Sequence, residues 1–299
     1  MNASIKLLEG VQPAVVSLKT EVAEDHPSSS VLGTERHGSG VLIDSTDLIL
    51  TVNYVVIGAQ TVEVMFADGT TNEGKVAAQD FRTGVALIRL STPVQRGLRT
   101  RPSTELQVGE DVAIIAAAAE NTRRVSDGIA MSFDRFDANW EYSLERSIVT
   151  TARNPGLGGA PLIDVTGRVV GIVALDLGEV GRSTLAIPVD YYLENKDELL
   201  RHGRCVSRPP RAWVGIFCYT FRNHVIVAGL LPGSPAERAG LKPGDVVLAL
   251  EGQEISGRQE LYDILWSFPP GHTLELKVFR NNAVEEVSVT ADDAERFFA

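Results

Sequence analysis

The stretch RNPGLGGAPLID, residues 153–164, is the part of the sequence from which the fold can be worked out. It joins an Asn-Pro-Gly turn to a Gly-Gly pair, which is followed by a small residue, a proline and a leucine. Glycine has more backbone freedom than any other residue, so this segment predicts a small and mobile loop. The run RVVGIVAL at residues 168–175 follows it, and its β-branched residues predict a strand.

Similar apolar runs recur at short intervals through residues 11–190, and each ends at Gly, Asp, Asn or Thr residues typical of turns. This spacing favours a sandwich or barrel over alternating βαβ units. The polar stretch 20–36 is predicted to be a surface loop. The other clear strand runs are HGSGVLIDSTDLILTV (37–52), TVEVMFADG (61–69), VALIRL (85–90) and DVAIIAAAA (111–119).

A change in composition divides the chain after this first part. Residues 190–203, DYYLENKDELLRHG, predict a short helix that ends at Gly203. The following stretch is rich in arginine and proline, and we interpret it as a solvated linker, with contact to an acidic partner as the alternative. The predicted division is a first domain at 1–200, a linker at 201–211 and a second domain at 212–299.

The second domain mixes strand and helix patterns, as an α+β fold does. WVGIFCY and HVIVAGLL predict strands, SPAERAG a short helix and GDVVLALEGQEI a hairpin. RQELYDILWSF predicts a helix, because Leu261, Ile264, Leu265 and Phe268 recur at helical spacing. TLELKVFRNNAVEEVSVT predicts a hairpin that turns at Asn281-Asn282.

Composition excludes several classes of partner and cofactor. The 299 residues carry a net charge of -11, which repels a phosphate backbone, so nucleic acid is not expected as a partner. Cys205 and Cys218 lack metal-site spacing and are expected to be free thiols in a reducing compartment, and no metal or cofactor is expected. The start of the chain has no signal-peptide pattern and no run is long enough to span a membrane, which favours the cytoplasm, or an extracytoplasmic site if a leader was removed.

These motifs resemble the HtrA/DegP family, in which a trypsin-like double β-barrel precedes a PDZ domain. The resemblance covers nearly the whole chain and implies a mainly β fold. It rests on GSGVLID and LILTVNYVV in the first barrel, on VSDGIAMSFDR, NPGLGGAPLID and LAIPVD in the second, and on LLPGSPAERAGLKPGDVVLALEGQEI in the PDZ domain.

The resemblance also identifies the positions of the catalytic triad. Tyr54 stands in the place of the histidine in an Asn-His-Val-Val motif, Gly84 in the place of the aspartate, and Gly158 in the place of the serine. Glycine has no nucleophilic side chain, and a tyrosine with a reference pKa near ~10 does not act as a base at neutral pH. We considered whether His37 and Ser39 replace the triad, and we favour a loop-end histidine and a structural serine.

The PDZ resemblance implies a peptide-binding loop at Trp213, Val214, Gly215 and Ile216. In a PDZ domain, backbone N–H groups of such a loop bind a peptide carboxylate, while the peptide pairs with the adjacent strand. Arg211 is expected to attract the carboxylate. The residues Leu261 and Leu265 line either the groove or the core, and Trp213 and Ile216 are also candidates for the core.

The sequence therefore predicts a catalytically inactive HtrA-like protein that binds protein C-termini or unfolded segments as an adaptor, scaffold or regulator. Two alternatives remain: a serine-type endopeptidase with weak or unconventional activity, and a holdase-like structural assembly. The resemblance also implies a homo-oligomer, which is a trimer in the family.

Overall fold

The computed structural model describes residues 3–44, 47–94, 97–119, 121–178 and 182–299. These residues form two compact units. The first comprises Met1–Ala23, Leu32–Phe136 and Leu144–Val206, and the second comprises Glu24–Val31, Asp137–Ser143 and Ser207–Ala299. Two segments of the predicted first domain, 24–31 and 137–143, therefore belong to the second unit, and their contacts are described below.

The first unit opens with a closed six-stranded barrel, whose strands are joined in the order β1-β2-β3-β6-β5-β4 and closed by pairing of β1 with β4. Its core consists of aliphatic side chains that face inward. The strands are β1 (Val15–Glu21), β2 (Glu35–Leu42), β3 (Leu48–Val52), β4 (Thr61–Met65), β5 (Thr71–Asp80) and β6 (Val85–Leu90). The helices nearby in the chain are α1 (Ala3–Val11), α2 (Ser29–Leu32) and α3 (Asn53–Val56), with a 3-10 turn at Gln12–Ala14.

A second closed barrel follows, joined in the order β11-β14-β13-β12-β7-β8. Its strands, with a short two-stranded sheet of β9 and β10, are β7 (Asp111–Ala119), β8 (Thr122–Ser132), β9 (Phe136–Asp137), β10 (Ser143–Leu144), β11 (Ile148–Thr150), β12 (Pro161–Asp164), β13 (Val169–Leu177) and β14 (Ser183–Pro188). A 3-10 turn at Ser103–Glu105 precedes them. Helix α4 (Asp190–His202) ends the unit and is capped by Gly203 in the left-handed conformation, as predicted.

The second unit is an α+β domain built on a sheet with the order β15-β16-β17-β19-β20, in which β18 pairs with β17. Alternate residues of β19 are buried, which is the period of a strand with one face on a core. The elements are β15 (Ile216–Phe221), β16 (His224–Leu230), α5 (Pro235–Arg238), β17 (Val246–Leu250), β18 (Gln253–Glu254), α6 (Arg258–Leu265), β19 (Thr273–Arg280), β20 (Ala283–Thr290) and α7 (Ala294–Phe297).

The mainly β prediction, with two barrels and an α+β domain, is confirmed. The turn at Asn281-Asn282 is also confirmed, because both residues have the positive φ that a two-residue hairpin requires.

Four local predictions are corrected. The stretch 20–36 is not only loop, because β1 and β2 pair as far as Glu21 and Glu35 and α2 lies between them. The predicted linker begins inside α4, which includes Arg201 and His202. Strand β15 starts only at Ile216, since Gly215 has φ +82°. Helix α6 ends at Leu265, so Phe268 lies beyond it.

Candidate functional site

Tyr54 lies on the one-turn helix α3, directly after β3. Its side chain is half-buried, and its Oη donates a hydrogen bond to the carbonyl of Ala174 on β13 at 2.9 Å. Burial raises the pKa of Tyr54 to about 12. The phenol is therefore neutral at physiological pH and already donates its proton to a carbonyl, so it cannot take a proton from a nucleophile there.

The structure places the three positions that the resemblance assigns to a triad close to one another. A Cβ atom added at Gly158 would clash with the Tyr54 Oη and would lie 3.0 Å from its Cζ, so the phenol fills the space that a side chain at 158 would need. Gly84, with φ +77°, accepts a hydrogen bond from the N–H of Asn53 at 2.7 Å. Backbone and phenol atoms thus occupy the place where the resemblance puts a serine, a histidine and an aspartate.

The backbone of the 153–159 loop is held by hydrogen bonds. Gly156 N–H donates to the Asn154 Oδ1 at 3.2 Å, and Leu157 N–H donates to the Ala117 carbonyl at 2.9 Å. In serine hydrolases of the trypsin type, the oxyanion is bound by the N–H of the nucleophile residue and by that of the residue two positions earlier. The second of these positions is Gly156, and its N–H here faces a side-chain amide oxygen.

The neighbouring serine and histidine candidates have other partners. The buried hydroxyl of Ser39 donates to the Leu157 carbonyl at 3.0 Å and accepts from the Ala117 N–H at 2.9 Å. His37 is exposed and lies 3.1 Å from the carboxylate of Glu35. These contacts agree with a structural serine and a loop-end histidine.

His26 was expected in the barrel domain, but it belongs to the second unit. One ring nitrogen lies 2.7 Å from the Ser28 hydroxyl, and the other lies 3.1 Å from the Phe298 carbonyl. The ring also stacks on that of Phe298. These contacts hold the 24–31 segment against the C-terminal residues and explain why it belongs to the second unit.

The loop before β15 carries the predicted carboxylate-binding donors. The N–H groups of Val214, Gly215 and Ile216 donate to one carboxylate, that of Glu141, at 3.0, 2.5 and 2.9 Å. Gly215 is required at the centre of the loop, because a Cβ there would clash with Ser234 and would lie 3.0 Å from the Trp213 ring.

The Glu141 carboxylate is buried, and only 8% of the residue is exposed. Burial raises its pKa to about 7, while the three backbone hydrogen bonds and the positive charge of Arg211 act in the opposite direction. The guanidinium of Arg211 stacks on the Trp266 ring at 3.6 Å. Arg211 therefore exerts on Glu141 the attraction that the sequence predicted for a bound carboxylate.

The residues before Glu141 run along β15. The Cys218 N–H donates to the Asn139 carbonyl at 2.6 Å, and Trp140 forms an antiparallel bridge with Phe217. On the other side, the Tyr262 Oη of α6 donates to the Ala138 carbonyl at 3.0 Å. Segment 137–143 thus lies between β15 and α6, where a PDZ domain binds its peptide.

The remaining predicted groove residues belong to the core. Leu261 and Leu265 of α6 are 1% and 2% exposed and pack in one cluster with Val214 and Ile216. Trp213 packs on the Phe297 ring at 4.7 Å and exchanges two backbone hydrogen bonds with Asp292. Of the two roles considered for Leu261 and Leu265, the structure supports the core, while Ile216 serves both the core and the carboxylate loop.

Glu141 and its segment were missed at the level of sequence. The bonded residues lie more than 70 positions apart, and a lone Glu in NWEYS carries no local pattern that would mark it. Arg258 was missed for the same reason: it donates to the Asp137 carbonyl at 3.1 Å and also bonds the Asn139 side chain.

In the described residues, no group of His, Cys, Asp or Glu side chains is placed to hold a metal ion. Cys205 and Cys218 carry thiols rather than a disulfide. Among the helices that the structure describes, none combines the length and apolar character needed to cross a membrane.

Two protein-family models match the chain: a trypsin-like peptidase domain at residues 38–172 and a PDZ domain at residues 209–291. A probable periplasmic serine endoprotease, DegP-like, of Halomonas elongata is 31% identical over an alignment 278 residues long, which covers 86% of this chain and 56% of the relative. The serine protease Do-like HtrA of Bacillus subtilis is 29% identical over an alignment 328 residues long, gaps included, which covers 97% of this chain and 72% of the relative. The chain therefore spans little more than half the length of the first relative.

Solved structures share the fold along nearly the whole chain. The HtrA-type protease AlgW with tripeptide superposes with a TM-score of 0.59 at 23% identity, covering 98% of this chain and 97% of that one. The serine endoprotease from Yersinia pestis gives a TM-score of 0.55 at 22% identity, with 98% of each chain covered. At these identities the likeness shows the fold alone.

Proposed function

We propose that this chain, which belongs to the HtrA-like family of trypsin-like peptidase and PDZ proteins, is a pseudoprotease that binds protein C-termini through its PDZ domain. One observation supports the binding function most directly. The N–H groups of Val214, Gly215 and Ile216 all donate hydrogen bonds to one carboxylate. Such a loop suits the carboxylate of a peptide C-terminus, whose main chain would pair with β15.

The residues that stand at the triad positions support the proposal that the protein is inactive as a protease. Position 158 has no hydroxyl, and the neutral phenol of Tyr54 fills the space beside it. A Ser-His-Asp triad needs a nucleophile, a base and a carboxylate that orients the base, and its members act as a unit. The named relatives are serine endoproteases, so weak endopeptidase activity is the alternative.

Labelling with a fluorophosphonate probe tests the inactivity. We expect no labelling of the purified protein and no degradation of casein, because no activated serine hydroxyl is available. Trypsin treated in parallel provides the positive control. Labelling at a barrel serine such as Ser39, abolished by Ser39→Ala, would support the endopeptidase alternative instead.

Calorimetry with two peptides tests the binding function. We expect a peptide that ends in Leu with a free carboxylate to bind more tightly than the same peptide with a C-terminal amide. The reason is that the N–H donors of the loop suit an anionic acceptor, and an amide places its own donors against them. Equal affinity for the two peptides would favour a holdase-like scaffold that does not recognise a C-terminus.

Location and assembly are parts of the same proposal. The sequence favours the cytoplasm, whereas the periplasmic relatives are compatible with an extracytoplasmic site. Fractionation of cells that express the tagged protein distinguishes the two compartments. The family resemblance favours a trimer, and light scattering coupled to size exclusion gives the mass in solution.

A further inference from the structure

We propose that segment 137–143 is an internal ligand of the PDZ groove, with the Glu141 carboxylate in the seat of a peptide C-terminus, and that an external C-terminus must displace it. The inference rests on the proposed binding function, because it takes the 214–216 loop to be a carboxylate seat. It adds that this seat is filled by the protein's own chain.

The carboxylate-binding loop, residues 214–216, is already occupied. The Glu141 carboxylate bonds all three N–H groups of the loop, and the residue is buried there. Two anions cannot share one set of donors, because they repel each other at that distance and compete for the same N–H groups. Binding of an external carboxylate therefore requires Glu141 to leave.

The edge of strand β15 with which an external peptide would pair is also occupied. An external peptide would pair with β15, but Asn139 already accepts the Cys218 N–H, and Trp140 is bridged to Phe217. The bonded edge and the seat are therefore filled by the same short segment. The segment then turns back, because the Ala138 N–H donates to the Tyr142 carbonyl at 2.9 Å. This turn lets a side-chain carboxylate take the place of a chain terminus.

Two side chains of helix α6 hold segment 137–143 in the groove. Tyr262 and Arg258 of α6 bond the carbonyls of Ala138 and Asp137, respectively. These are backbone contacts, as expected for a groove that recognises an extended chain. The same donors remain available to an external peptide once the segment has left.

The test compares the wild type with Glu141→Ala by titrating a fluorescein-labelled peptide that ends in Leu with a free carboxylate. We expect the variant to bind this peptide at least tenfold more tightly, because the competing carboxylate is gone. Glu145→Ala is the matched control. Glu145 is an exposed acidic residue four positions further on, so this variant should bind like the wild type.

Amide hydrogen exchange tests the occupation of the 214–216 loop without any peptide. In the wild type, amide hydrogen exchange at Gly215 and Ile216 should be slow, and in Glu141→Ala it should be faster by an order of magnitude or more. If Glu141→Ala does not unfold cooperatively, Glu141→Gln supplies both measurements, because it retains the side-chain length but not the charge.

The outcomes separate the inference from the proposed function. If Glu141→Ala binds the peptide no more tightly than the wild type, or leaves the exchange of Gly215 and Ile216 unchanged, the internal ligand is refuted. The C-terminal binding function then stands if both proteins still prefer the free peptide to the amidated one. If the wild type and Glu141→Ala both bind the free and amidated peptides equally, the carboxylate seat itself is refuted.

Discussion

At the scale of single residues, the side chain of Tyr54 occupies the volume that a side chain at position 158 would need. The phenol is fixed by its hydrogen bond to Ala174, so the ring cannot move aside without losing that bond. The two positions are therefore coupled: a tyrosine at 54 is compatible with a glycine at 158, and a larger residue at either position affects the other.

This coupling predicts the effect of Gly158→Ser on stability. We expect the free energy of unfolding to fall by about 1–3 kcal/mol, because the added side chain overpacks the site. Adding Tyr54→His should recover part of the loss, since the imidazole lacks the distal hydroxyl. Denaturant unfolding of the two single variants and the double variant measures the coupling between the positions.

Gly178→Ser provides the control in the same unit, because no described atom lies within 4 Å of a Cβ added at Gly178. A Gly158→Ser protein as stable as Gly178→Ser would contradict the predicted clash.

The pKa of Glu141 predicts a pH dependence of peptide binding. A carboxyl whose pKa rises from the reference value of 4.5 to about 7 on docking favours docking at low pH and loses that advantage as pH rises towards 7. From pH 5 to pH 8 the equilibrium constant for docking of segment 137–143 in the groove should fall by roughly 10–100-fold. Among the described residues, the titratable side chains that interact electrostatically with this carboxylate include Arg211, Tyr262 and Cys218.

The measurement is the affinity for the Leu-ended peptide in the wild type divided by that in Glu141→Gln, at each pH. The ratio should rise with pH, since the variant cannot titrate and the effect on the peptide's own carboxylate cancels. A flat ratio between pH 5 and pH 8 would rule out Glu141 as the titrating group.

At the scale of elements, the loop before β15 predicts the effect of Gly215→Val. The backbone has φ +82° and a Cβ would clash with Ser234, so the loop must shift and its N–H groups lose their alignment. Because Glu141 binds the same N–H groups, the valine variants are compared in the Glu141→Ala background, where we expect Gly215→Val to weaken binding of the Leu-ended peptide at least tenfold. Gly233→Val is the matched control: its φ of +74° imposes similar strain, of about 1–2 kcal/mol, with no described atom within 4 Å of the new Cβ.

Calorimetry on the two valine variants separates the effects. Gly233→Val should lower stability and retain binding, whereas Gly215→Val should lower both. Equal loss of binding in the two variants would mean that backbone strain, and not the geometry of the loop, determines affinity.

The elements that the sequence predicted are those with local signals. The Asn281-Asn282 hairpin, the Gly203 cap of α4 and the apolar spacing of α6 all depend on residues close together in the chain. The role of segment 137–143 could not be predicted in this way. It depends on main-chain bonds to β15 and α6, which are formed by backbone groups of any residue and leave no mark on composition.

At the scale of the whole molecule, the positions that the resemblance assigns to the triad come from both barrels: 54 and 84 from the first, and 158 from the second. Gly84 has φ +77°, a left-handed backbone conformation that aspartate adopts less readily than glycine. Gly156 and Leu157 commit their N–H groups to Asn154 and Ala117. Restoring three side chains leaves this backbone arrangement in place.

We therefore expect that the triple variant Tyr54→His, Gly84→Asp, Gly158→Ser does not regain the casein-degrading activity of an active serine endoprotease of the family. Each misplaced oxyanion donor costs about 2.7–4 kcal/mol of transition-state stabilisation. The family resemblance implies Asn at position 157 and Gly at position 160, so a second variant that also carries Leu157→Asn and Ala160→Gly should recover more activity than the triple variant. Full activity in the triple variant would show that the loop is already competent.

Segment 137–143 also determines which C-terminal ligands can bind to the groove. It is continuous in the chain with β8 and β11, so it competes as a tethered ligand whose effective concentration does not fall on dilution. Short tethers give effective concentrations of about millimolar. A single peptide with micromolar affinity for the empty groove would then bind only weakly, and its apparent affinity would be the same at every protein concentration. In an oligomer that carries several grooves, an assembly displaying many C-termini would overcome this internal competition by avidity, whereas isolated chain ends would not.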